Sequence, residues 1–174
     1  NEVSKSFNLT FNAEKLRTYA VLGDSISTFE GICPSGWTTF YDGTNAGIST
    51  PQHTWWGRVA DRCGLQLVCN IARSGLRATP STSKANIDGI YYASELKSLV
   101  TADPDVILVY IGINDFNHNV AIGNIDPESA KLTYECKSGL TFAQSYLNML
   151  LTLKVKFPDA DIYCMTLPNS QRTA

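Results

Sequence analysis

Several absences narrow what this 174-residue chain does before any motif is considered. It has no excess of basic charge. Fourteen Lys and Arg stand against 16 Asp and Glu, so no positive field draws the surface toward nucleic acid phosphates or anionic lipid, and neither is expected as a partner. No window approaches the roughly 18 uninterrupted apolar residues of a membrane span, and the opening NEVSKSFNLT lacks an apolar signal core. Histidine occurs twice, at His53 and His118, and the five cysteines form no CxxC and have no histidine at metal-ligand spacing, so no metal or other cofactor is expected. The nucleotide-cradling GxGxxG and GxxxxGK patterns are missing as well. A small neutral or weakly charged substrate fits what remains. The chain starts without methionine, which leaves removal of a signal or tag, and with it the compartment, open.

A composition of 44% hydrophobic and 17% charged residues is that of an ordinary globular chain, expected to form one domain over 1–174. Four short apolar runs read as strands, 19–22 (YAVL), 67–72 (LVCNIA), 106–111 (VILVYI) and 161–167 (DIYCMTL). They show little alternation, the pattern of strands covered on both faces in a parallel sheet. Helices are expected over 55–63 (WWGRVADRC), 93–100 (ASELKSLV) and 141–156, the last with Ala143, Tyr146, Leu147, Leu150, Leu153 and Phe157 on one buried face before the Pro158-Asp159 stop. Strand and helix in alternation make an α/β fold. Two long stretches, 31–54 and 116–137, read as irregular loops of the kind that form binding surfaces. Cys69 and Cys164 fall inside strand runs as small hydrophobes, while a disulfide from Cys33 to Cys63 or Cys136 stays open.

In an open α/β sheet, ligands sit beyond the carboxyl ends of the strands. The residues found there are Gly23-Asp24-Ser25, Ser74-Gly75, Gly112-Ile113-Asn114-Asp115 and Pro168-Asn169-Ser170. Such small polar sets suit acyl transfer: a serine on a turn attacks a carbonyl, and a backbone N–H freed by glycine, with an amide such as Asn114, stabilises the oxyanion.

These blocks, Gly23-Asp24-Ser25-Ile26-Ser27, the stretch from Asn70 to Gly75, and Gly112-Ile113-Asn114-Asp115, occur in the order of the SGNH (GDSL-type) hydrolases, which the chain resembles from about Tyr19 to Leu167. The resemblance implies a three-layer α/β/α, flavodoxin-like parallel sheet and hydrolysis of esters or thioesters. It implies Ser25 as nucleophile, with an oxyanion hole made by the Ser25 and Gly75 N–H groups and the Asn114 amide. The family's fourth block, Asp-x-x-His, is absent, so the resemblance implies a fifth strand, that histidine and a closing helix beyond Ala174, and little activity from residues 1–174 alone.

Other residues have plainer readings. Asp24 and Asp115 adjoin turns and are expected to cap backbone N–H groups. His53 reads as a helix-entry or surface residue, and His118, four residues past Asn114 on a loop, as a substrate contact. Trp37, Phe40, Tyr41, Trp55 and Trp56 read as core or loop anchors, and equally as the rim of a sugar site, with Trp37 and Trp55 the substrate-binding candidates. Arg73 and Arg77 read as solvated charges. The function expected is an esterase acting on a small or carbohydrate ester; the rival is a ligand-binding domain of the same fold without catalysis.

Overall fold

The computed structural model describes residues 16–80, 99, 101–132 and 139–167. Its centre is a parallel sheet of β1 (Thr18–Gly23), β2 (Gln66–Asn70), β3 (Val106–Tyr110) and β4 (Asp161–Cys164), in the order β2-β1-β3-β4. This flavodoxin-like order puts β1 in the middle, with one crossover to each side. Register is set along the β1–β3 pair from Tyr19 opposite Val106 to Gly23 opposite Tyr110.

Alternation along the two inner strands builds one core on each face. Ala20, Leu22, Ile107 and Val109 point to the side where Met149, Leu153 and Phe157 pack. Tyr19, Val21, Val106 and Leu108 point to the other, against Trp56 and Ala60. The covering helices are α1 (Trp55–Cys63) and α3 (Phe142–Lys156), with the short α2 (Ile113–Asn117) following β3. This is the expected three-layer α/β/α arrangement.

The helix α1 keeps its expected limits because both ends are chemically marked. Thr54 caps it by accepting from the Gly57 N–H at 3.1 Å, and Gly64 ends it in the left-handed region at φ 62°. Thr141 likewise caps α3, accepting from the Gln144 N–H. Most of the expected 93–100 helix lies outside the described residues; Leu99 within it is helical and fully buried.

Three expectations change. The runs in β2 and β4 are not covered on both faces: as the outer strands among the described residues they are partly exposed, and Cys164 is exposed rather than packed. The β2, β3 and β4 ladders end earlier than the apolar runs do, although Ile71, Ala72 and Ile111 stay buried as the chain turns. The most buried face of α3 is Ser145, Asn148, Met149, Thr152 and Leu153, with Tyr146 and Leu150 packed at its margin. Asn148 and Thr152 can lie inward because their bonds are made there: Asn148 Oδ1 accepts from the Lys131 N–H at 2.7 Å, which ties the long loop after α2 onto the helix, and the Thr152 hydroxyl donates to the Asn148 carbonyl, whereas the buried Ser145 Oγ has no partner among the described residues. Cys33, Cys63, Cys69 and Cys164 all carry free thiols, and Cys136 lies outside the described residues.

Candidate active site

The chain leaves β1 at Gly23, where a side chain has no room: a Cβ would run into Ser27 Oγ and Cβ and lie 2.9 Å from the Tyr110 carbonyl oxygen. Asp24 follows, then a single turn of 3₁₀ helix, Ser25–Ser27, opened by Asp24 Oδ1 accepting from the Ile26 N–H at 3.2 Å. Ser25 is its first residue and is half-buried. Its carbonyl accepts from the Thr28 N–H and hydroxyl, while Oγ makes no hydrogen bond among the described residues.

The turn is held from behind. The Ser27 carbonyl accepts from both Trp56 Nε1 and Asn70 Nδ2 at 2.9 Å, and Ser27 Oγ accepts from Trp55 Nε1 at 3.1 Å. Asn70 also accepts the Ala72 N–H on Oδ1, joining the end of β2 to the turn. Sequence reasoning placed Asn70 in a motif without giving it this task. Its signal is an amide closing an otherwise apolar strand.

After β2 the Arg73 N–H donates to the Gly23 carbonyl at 3.1 Å, and residues Arg73 to Leu76 form a turn closed by the Leu76 N–H on the Arg73 carbonyl. Gly75 occupies its third position at φ 78°, which strains any residue with a Cβ. After β3, Gly112 takes φ 130°, and a Cβ there would lie 3.0 Å from the Phe142 ring. Asn114, on the first turn of α2, donates from Nδ2 to the Leu76 carbonyl at 2.8 Å. That bond occupies one of the two amide hydrogens, fixing the plane of the group and leaving the other for a ligand. The structure thus links the end of β1 to the Gly75 turn, and the Gly75 turn to Asn114.

Asp115 is buried and clamps the same loop, accepting from the Ala78 and Thr79 N–H groups and the Thr79 hydroxyl at 2.6–2.9 Å. It is the expected cap, but for a segment 36–37 residues away in sequence rather than its own turn.

Asp24 is fully buried, and its Oδ2 has no hydrogen-bond partner. Burial first, with Asp115 adding repulsion, raises its carboxyl to about 6, against which the Ile26 N–H works. The folded state holds this proton between pH 4 and 6 while the unfolded chain releases it, so the stability that protonation contributes is lost as pH rises through that window, on the order of 3 kcal/mol in all. Asp24→Asn is therefore expected to raise the unfolding midpoint at pH 7.5 and to leave it nearly unchanged at pH 4; urea unfolding at the two pH values checks this, and an equal effect at both would contradict it.

The remaining candidates scatter. His53 ends the 3₁₀ turn Pro51–His53, exposed, with Nδ1 3.1 Å from Ser49 Oγ. His118 is exposed at the carboxyl end of α2, on a helix end rather than in a free loop. Neither histidine bonds Ser25 Oγ. Trp55 is half-buried, its ring set edge-on to Tyr110 at 5.3 Å. Trp37 stands at the surface with the Arg73 guanidinium 4.1 Å above its ring centroid. Arg73 itself is buried, not solvated, and burial lowers its pKa; Arg77 is half-buried beside the Pro80 carbonyl. Among the described residues no group of three or more His, Cys, Asp or Glu is placed to hold a metal, and no helix is long and apolar enough to cross a membrane.

A serine on a tight turn beyond an inner strand of a three-layer parallel sheet, with a glycine turn and an asparagine at the neighbouring strand ends, defines an α/β protein with small polar groups at the carboxyl edge of its sheet, where such folds hold their ligands. The chain belongs to the GDSL-like lipase/acylhydrolase family, a family of ester hydrolases whose model matches residues 17–172. It is similar in structure to a GDSL-like lipase from Bacteroides uniformis, at 25% identity and a TM-score of 0.66 over 90% of this chain and 74% of that one. A GDSL-like lipase from Bacteroides ovatus aligns at 22% identity and a TM-score of 0.63, over 87% and 72%. An active-site mutant of a family two carbohydrate esterase from Clostridium thermocellum, in complex with cellohexaose, aligns at 20% and 0.54, over 90% of this chain and 44% of that one. The last two share the fold. No curated protein sequence matches the chain.

Proposed function

We propose that the chain is an esterase that cleaves an acylated carbohydrate or similar small ester through an acyl-serine on Ser25. Oγ attacks the ester carbonyl carbon, the bond to the alcohol oxygen breaks, and water then releases the acid from the serine. The Ser25 and Gly75 N–H groups and the second Nδ2 hydrogen of Asn114 meet the oxyanion. The observation that carries this reading is the Asn114 amide, held by the Leu76 carbonyl with one hydrogen still to give. The base that takes the Oγ proton is neither His53 nor His118 in this reading. A carbohydrate alcohol is supported by the exposed aromatic rim of Trp37 and Phe40 and by the fold shared with a carbohydrate esterase bound to cellohexaose. His118 and the ring of Trp55 are secondary contacts.

The rival reading, a binding domain without catalysis, draws on Ser25 Oγ making no hydrogen bond to a base among the described residues. The two separate on one assay. The full-length protein is expected to release acetate from an acetylated cello-oligosaccharide and from 4-nitrophenyl acetate; oligosaccharide binding without release from either ester would favour the binding domain.

A further inference from the structure

The segment that carries Trp37 is an arch with a fixed base. The Glu30 N–H donates to the Tyr41 carbonyl at 2.9 Å, Phe29 bridges Tyr41, and the Phe40 N–H donates to Thr28 Oγ1 at 2.7 Å. Residues 30–41 therefore start and end on the turn that presents Ser25. Their contact with the far side of the site is the Arg73 guanidinium lying 4.1 Å over the Trp37 ring. Arg73 is only 7% exposed and its backbone is tied to Gly23, so it is a fixed support two residues before Gly75. Trp37, with Arg73 over its ring, is still 38% exposed, on an arch whose base is bonded to Thr28 at the end of the Ser25 turn. An indole suits the apolar face of a sugar ring, and a guanidinium stacked on it restrains the plane of the ring.

We propose that Arg73 is a positioning residue that holds Trp37 as a stacking platform for a sugar ring of the substrate. This rests on the esterase reading for its kinetics but not for its binding. Arg73 acts on recognition of the alcohol part, not on the reacting carbonyl. The obvious alternative for a cation near the site, pairing with an acidic substrate, fits poorly with a guanidinium buried under an indole.

The test compares acetylated cello-oligosaccharide with 4-nitrophenyl acetate, which has no sugar to stack. Trp37→Ala is expected to raise KM for the oligosaccharide about tenfold and Arg73→Met about three- to tenfold, with kcat and both constants for the aryl ester changed less than twofold. Arg73→Lys, which keeps the charge and loses the planar stack, should fall between Arg73→Met and the unaltered protein and serves if Arg73→Met fails to fold. Because Arg73 acts through Trp37, Arg73→Met should add nothing in the Trp37→Ala background. An additive double mutant, equal loss of kcat on both esters, or an unchanged oligosaccharide KM in Arg73→Met and Arg73→Lys would each overturn the proposal. If the unaltered protein turns over neither ester, the esterase reading falls, and calorimetric titration with unacetylated oligosaccharide decides the platform separately. Binding weakened in both Trp37→Ala and Arg73→Lys upholds it, and binding unaffected, or none, overturns it.

Discussion

A fluorophosphonate ester probe is expected to label Ser25 in the full-length protein and no other serine, and Ser25→Ala to lower ester turnover by on the order of 10⁴-fold or more. Three serines lie close together near the strand ends, and their surroundings separate them. Ser27 is fully buried and its oxygen is engaged by Trp55, so it supports the turn rather than facing solvent. Ser74 is the second residue of the Gly75 turn, on β2's side of the sheet. Ser25 begins the turn beyond β1, and its Oγ is unengaged among the described residues. Peptide mapping of the labelled protein reads the answer directly: a label on Ser27 or Ser74 would reassign the nucleophile.

Replacing Asn114 with alanine is expected to lower kcat by about 10² to 10³ while KM moves little, since the amide meets charge that develops only in the transition state. The Leu76 carbonyl gives the variant a second consequence. It loses its donor, so the Gly75 turn loosens and stability falls by about 1 kcal/mol. A kcat deficit far larger than that loosening explains, measured on a variant shown by circular dichroism to be folded, assigns Asn114 to the oxyanion. An unchanged kcat removes it from the hole.

The inner half of the fold was legible because its chemistry is local. Continuous apolar runs marked β1 and β3, and amphipathic spacing marked α1 and α3 to within a residue. The three motif blocks could be found because each is a short string at a strand end. The misreadings came from residues whose partners are distant in sequence. Hydropathy counts Asn148 and Thr152 as outward-facing, and only the loop at Lys131 and the helix's own Asn148 carbonyl show why they are not. Arg73 reads as solvated until the arch brings Trp37 over it. Asp115 looks like a local cap until Ala78 and Thr79 arrive from another crossover. The exposure of β2 and β4 depends on strand order, which no single run encodes.

The strand order has a consequence for how such a protein can change. Ser25, Gly75 and Asn114 follow three strands that lie side by side, β1 flanked by β2 and β3, and adjacent strands in any sheet stand about 4.8 Å apart. The backbone ladder therefore serves as a ruler: it sets the starting points of the three segments in strand widths, and the short bonded turns carry that spacing to the groups themselves. The arch over residues 30–41 and the loop after α2 hang outside that ruler. They are free to be rewritten for a different alcohol or acyl group, while the graduations beneath them keep their spacing.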